Sequence, residues 1–239
     1  MAAFATTRWT MVRTALDPTD PDAVEALEHL CRIYWPAVYA YVRSRGHSAS
    51  DAADLTQEFF LRVLEKGYFE QARRERGTFR TFLLTCVQHF LANEWDRTNA
   101  QKRGGGQRPL ALDHVSAESR YLLEPRDDLT PEAIFEQQWA WSVVQQALQR
   151  LEQDVRAAGR QQMYAGCREL LLGESAGATY AQIAAGLEVT EGTLKVQVHR
   201  LRRRLRELVL DEIEQTGAAG DDAEAELRHL LAILRSPSV

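Results

Sequence analysis

The chain has only three cysteines in 239 residues, Cys31, Cys86 and Cys167. Their number is odd and their spacing is wide, which excludes a disulfide framework and a CxxC metal site. They read as small buried hydrophobes of a reducing cytoplasm. No apolar run approaches the roughly 18 residues of a membrane span. The opening "MAAFATTRWTMV" lacks a basic start followed by an apolar core, so no secretory signal is expected and the expected location is cytoplasmic. The six histidines form no HxxxH or HExxH pattern, and GxSxG, GxxxxGK[ST] and GxGxxG are all missing. The triplet Gly104 to Gly106 follows basic residues rather than an apolar strand, which argues against a phosphate-cradling loop. No catalytic residues, metal ligands or cofactor are therefore expected.

What is present is the composition of a soluble globular protein, 45% hydrophobic and 26% charged. Apolar residues recur at helical spacing. Leu27, Leu30, Cys31, Tyr34, Val38, Tyr41 and Val42 mark one helix, which Pro36 is expected to break or kink. "SASD" at Ser48 to Asp51 has capping-box spacing with Asp in place of Glu. It opens a second helix carrying Ala52, Leu55, Phe59, Val63 and Leu64 on one side. A third follows Gly77, with Phe79, Phe82, Leu83, Cys86, Val87, Phe90, Leu91 and Trp95. Strand-like alternation is nearly absent, so the predicted class is all-α.

Periodicity fails from about Gly104 to Leu129, where glycines, prolines and scattered charges read as a linker. Stretched out, it reaches up to roughly 85 Å. Thr130, Pro131 and Glu132 restart a helix as N-cap, first helical position and first-turn acid. The expected layout is a helical domain over 1–103, a linker over 104–129, a second helical domain over 130–215 and an acidic tail over 216–239. The tail carries an amphipathic helix from Ala223 to Arg235, with Leu227, Leu230, Leu231 and Leu234 on one stripe. It is expected to pack on the second domain, inhibiting it or serving a partner.

Net charge is -5, yet five of the seven residues from Arg200 to Arg206 are arginine. From Thr190 to Arg206, Lys195 and five arginines face Glu191 alone, a local +5. From Glu207 onward eight acids face two bases. The chain average thus hides a basic helix beside an acidic tail. Just before the arginines, Ile183, Ala184 and Leu187 share one face of a short helix. A turn follows around Gly186 to Val189. Thr190 caps a second helix with Leu194, Val198, Leu201 and Leu205 facing inward. Two helices joined by a short turn, the second one basic, make a helix-turn-helix. Glu191, Thr193, Lys195, Val196 and Gln197 lie at the end that enters a major groove. His199, Arg200, Arg203 and Arg204 continue toward a phosphate ridge, where contacts supply affinity while base edges supply sequence choice. A protein-protein contact with a solvated basic face is the competing reading.

In the N-terminal half, "DAADLTQEFFLRVLEK" shows Asp51, Asp54, Gln57 and Glu58 on its polar side. The next segment begins with Phe79, Arg80 and Phe82 and ends in Arg97, Lys102, Arg103 and Arg108. Rings beside cations suit single-stranded nucleic acid, because bases stack while cations hold the backbone. The competing reading puts Phe82, Phe90 and Trp95, which sit at helical spacing, in the core.

"TYAQIAAGLEVTEGTLKVQVHRLRRRL" resembles region four of bacterial RNA polymerase sigma factors of the extracytoplasmic-function (ECF) group. The family pattern Ser/Thr-x-Gly-Thr-Val-Lys appears as Thr190, Glu191, Gly192, Thr193, Leu194 and Lys195. Where the family often has Gly in the turn, this chain has Glu188. Either the turn shifts or Glu188 adopts a left-handed backbone. "DAADLTQEFFLRVLEK" resembles region 2.2, which implies that Asp54, Gln57, Glu58 and Phe59 contact core polymerase. "FRTFLLTCVQHFLANEWDRTNAQKR" resembles regions 2.3 and 2.4, which implies minus-ten DNA contacts from Phe79, Arg80, Phe82, Asn93, Arg97, Lys102 and Arg103. Phe82 takes a slot where the family usually has Trp, and Gly67 to Gly77 matches a loop that captures a flipped base. Minus-35 contacts are implied for Thr190, Glu191, Thr193, Lys195, Val196, Gln197, His199, Arg200, Arg203 and Arg204.

The resemblance covers about 22–103 and 131–210. Extra helical length, "LEQDVRAAGRQQMYAGCRELLLGESAGA", precedes the helix-turn-helix. It implies a promoter-specificity subunit that binds bacterial core RNA polymerase and promoter DNA, both duplex and non-template strand. It admits an anti-sigma factor or other regulator, and it involves no membrane and no bond-making chemistry. The alternative is a stand-alone dimeric helix-turn-helix regulator with an N-terminal helical sensor domain. That protein would grip duplex DNA without polymerase.

Overall fold

The computed structural model describes residues 14, 19–65, 78–100, 129–171, 179–215 and 221–235. Among these are eight helices and no strand, as the all-α reading predicts. They are α1 (Ala23–Ser44), α2 (Ala49–Glu65), α3 (Phe79–Ala100), α4 (Pro131–Ala157), α5 (Gln161–Leu171), α6 (Tyr180–Gly186), α7 (Glu191–Gln215) and α8 (Asp221–Arg235). By contacts the chain falls into two units. One holds residues up to 142 together with those from 213 onward, and the other holds 143–212. The loop 67–77 and the linker up to residue 128 lie outside the described residues.

In the first unit α1 is buried on every side from Ile33 to Val42. Pro36 was expected to break or kink this run; it does not break it, and the helix continues to Ser44. A proline removes one backbone hydrogen bond. A segment enclosed by apolar neighbours over its whole circumference is held by packing instead. Gly46, with φ 92°, closes the helix by donating its N–H to the Arg43 carbonyl at 3.0 Å.

At the start of α2 the Ser48 hydroxyl accepts from the Asp51 N–H at 3.1 Å. The Asp51 carboxylate accepts from that same hydroxyl at 2.8 Å. The expected box is thus half made, because Asp is one methylene shorter than the Glu that reaches back to the cap N–H. The core behind these helices is aromatic. Tyr34 meets Phe79 edge-on at 5.1 Å, and Phe59 meets Phe90 at 5.6 Å.

α4 starts where Thr130 Oγ1 accepts the Ala133 N–H at 3.2 Å. α8 belongs to the first unit, where it buries Ala223, Leu227 and Leu230. The tail was expected to pack on the second domain, 130–215; it meets the first turns of that segment, with His229 3.1 Å from Glu136 of α4, and it also meets α3. Its leucine stripe demanded a cover but could not say which, and Arg80 of α3 supplies an ion pair for Glu226.

The second unit is organised around Cys167, Leu170, Ala184, Leu194 and Val198, with Leu187, Val189 and Leu201 packed against them. This core holds α5, α6 and the first half of α7 in one body.

Candidate nucleic-acid interface

The helix-turn-helix is built by two caps and one turn. A full capping box opens α6: the Gln182 N–H donates to Thr179 Oγ1 at 3.3 Å, and the Thr179 N–H to Gln182 Oε1 at 2.8 Å. At its other end Val189 N–H donates to the Ala184 carbonyl at 3.0 Å and Glu188 N–H to Ala185 at 3.2 Å. These are the two crossed bonds of a Schellman turn. Glu188, with φ 55°, occupies the left-handed position that glycine normally takes. Of the two alternatives at this turn, the left-handed glutamate is the one realised. Leu187 can then reach inward. A Cβ at Gly166 of α5 would come within 2.7 Å of its Cδ1, so the missing side chain makes its seat. Thr190 next caps α7, its Oγ1 accepting the Thr193 N–H at 3.1 Å.

This geometry buries Leu194, Val198 and Leu205 and half-buries Leu201. It leaves Glu191, Thr193, Lys195, Val196, His199, Arg200, Arg203 and Arg204 exposed, with Thr190 exposed at the cap and Gln197 half-buried. Lys195 Nζ lies 2.6 Å from Glu191 Oε1 and 5.9 Å from the centre of the Tyr180 ring. The hydrogen bond to Glu191 raises its pKa above the usual lysine value.

The arginines divide. Arg202 donates to the Leu170 carbonyl at the end of α5 at 2.6 Å. Arg204 forks onto Asp154 Oδ2 at 2.7 and 3.0 Å. Arg203 meets Glu207 at 3.2 Å. Arg200 makes no ion pair among the described residues. Charge count alone could not have separated these roles, since Asp154 is 50 positions away from Arg204.

In the first unit, α2 presents Asp54 to solvent, with Gln57 and Glu58 half-buried. Phe59 is 1% exposed and belongs to the core. Leu61, 47% exposed, is an apolar side chain on this helix that the sequence reading did not single out. Arg62 ties the face together, 2.5 Å from Glu58 and 2.7 Å from Glu94, with its guanidinium over Phe90. Beside it runs an open groove of about 940 Å³ lined by Asp51, Asp54, Glu58, Glu94 and Glu132 with Arg45 and His47.

On α3, Phe79 is buried against Tyr34, Arg80 is 8% exposed, Phe82 is half-buried and Asn93 is exposed. The Arg97 side chain, Lys102 and Arg103 lie outside the described residues. Burial pushes the Cys31 and Cys86 thiols up to about 11, far from reactive thiolates. Among the described residues no helix is long and apolar enough to cross a membrane.

Residues 30–101 match the family model for sigma-70 region 2. Over 197 residues the chain is 27% identical to the ECF RNA polymerase sigma factor SigE of Mycolicibacterium smegmatis, an alignment covering 82% of this chain and 66% of that protein. No solved structure matches. The match to region 2 takes in most of α1, all of α2 and all of α3. Beyond that segment the likeness is to an ECF-type sigma factor over most of the chain.

Proposed function

We propose that this chain is a promoter-specificity subunit that binds core RNA polymerase, recognises and helps melt promoter DNA, and directs transcription initiation in the cytoplasm. One observation carries the reading: a segment that matches sigma-70 region 2 is followed, on the same chain, by a helix-turn-helix whose second helix shows Thr193, Lys195 and Val196 at its exposed N-terminal end. α2 would supply the polymerase contact through Asp54, Gln57 and Glu58, with Phe59 shaping that face from beneath. α3 and the residues after it would hold the minus-ten region. Unpaired bases stack on rings while cations hold the backbone, offsetting an unpairing cost of a few kcal/mol. α7 would read the minus-35 region in the major groove, with Lys195 and Gln197 toward base edges and Arg200 and Arg203 toward phosphates. An anti-sigma factor or other regulator competing for the α2 face would be a further partner. The polymerase, not this chain, would perform the chemistry.

A gel shift of a fork-junction promoter, with and without core polymerase, tests the reading. A monomer that shifts the promoter only together with core is the expected result. A dimer that binds closed duplex unaided and ignores core would overturn it.

A further inference from the structure

Arg80 stands at the start of α3, in the segment assigned above to promoter DNA, yet it is 8% exposed. Its guanidinium forks onto Glu226 of α8: Nε to Oε1 at 2.9 Å and Nη2 to Oε2 at 3.2 Å. Nη1 pairs with Glu136 of α4 and lies 3.0 Å from His229 Nε2, which is 3.1 Å from Glu136 Oε2. The flat face of the guanidinium lies 4.6 Å from the Trp139 ring centre. α8 thus contributes Glu226 and His229 to this cluster.

A carboxylate and a phosphate present the same pair of oxygens to an arginine fork. Glu226 therefore occupies Arg80 as a backbone phosphate would. We propose that α8 is an intramolecular mask: it covers Arg80 at the start of α3, and Glu226 competes with DNA phosphate for that guanidinium. The proposal rests on the reading of α3 as a promoter-binding helix. Two features make the mask displaceable. Much of the attraction in a buried ion pair is offset by the desolvation of both charges, so trading one anion for another costs little. The apolar anchor of α8 is also small, with Ala223, Leu227 and Leu230 buried while Leu231 remains 39% exposed. The start of α8 is acidic, with Asp221, Asp222, Glu224 and Glu226 against Arg228 and Arg235 further on, so it also repels DNA until it is moved.

The test uses the full chain, Glu226→Gln, a chain ending at Gln215, and each of these with Arg80→Gln. The probe is a fluorescent mixed-sequence single-stranded oligonucleotide, read by anisotropy, with folding checked by circular dichroism. Removing one competing charge-assisted pair should tighten binding about tenfold in Glu226→Gln and in the truncated chain. Arg80→Gln should abolish that gain in both. Affinity within twofold of the full chain would overturn the mask, as would a gain that survives Arg80→Gln. Unfolding of Glu226→Gln would overturn it too, since a displaceable helix cannot be a fold requirement. Assembly with core polymerase, followed by size exclusion in parallel, separates the two ideas. A chain that never joins core removes the sigma reading, while the oligonucleotide still decides whether α8 guards an anion site.

Discussion

Glu188 holds φ 55° in the turn between α6 and α7, a conformation that brings its Cβ close to the backbone. The two turn bonds and the seat for Leu187 beside Gly166 force it there, so the strain is compensated by packing. Glycine would take the same conformation without the clash. Glu188→Gly should therefore stabilise the chain by about 1 kcal/mol and raise its melting temperature by roughly 2–4 °C. A thermal melt that falls instead would mean the carboxylate has a role outside the turn. Lys195 is a second single-residue case. Its exposed ammonium is held by Glu191 rather than pointing freely outward. Glu191→Gln should release it, and Lys195→Ala should both weaken promoter binding and relax sequence choice in a competition assay. A uniform loss across sequences would place Lys195 on phosphate instead.

At the scale of the element, α7 is one basic helix with two uses. Arg202 ties it to the end of α5 and Arg204 ties it to Asp154, whereas Arg200 is uncommitted. Arg202→Ala should lower the melting temperature of the second unit, because the Leu170 carbonyl loses a charged donor worth about 1.5–3 kcal/mol. Arg200→Ala should leave the melt unchanged and reduce holoenzyme affinity for many promoters alike, flattening its salt dependence. Identical behaviour of the two variants would refute the division.

The helices themselves were legible in the sequence, because periodicity at three and four is a local signal. α1 to α3 and the pair α6 and α7 follow it closely. Three things were not local. Pro36 survives inside α1 because of what surrounds that helix. The arginines are sorted by Asp154 and by the Leu170 carbonyl, which are distant in sequence. The leucines of α8 announce a buried face without naming its neighbour. Site residues split the same way. Asp54 and Lys195 are exposed as their helix faces predict, whereas Phe59 and Phe79 are core and Arg80 is enclosed by partners 56 or more positions away.

At the scale of the whole molecule, acidity should loosen the tail. His229 is held below the usual histidine pKa, chiefly by burial and next by the Arg80 guanidinium, with Glu226 opposing. The carboxylates of Glu136 and Glu226 are already engaged by Arg80 and offer an imidazolium little net attraction. The folded form therefore prefers the neutral ring. The unfolded chain binds the proton more readily, so stability rises with pH across this window. The contribution is complete above about pH 6.5, the unperturbed histidine value, and is lost as pH falls through the lowered folded value. Cooling to a fixed temperature and acidifying from pH 7.5 to 5.5 should expose the amide protons of α8 to hydrogen exchange before those of α1. His229→Gln keeps a neutral polar side chain at this position at either pH, so its α8 should show a smaller acid response. An equal response in both proteins would assign the acid sensitivity to the carboxylates and remove His229 from the hold on the tail.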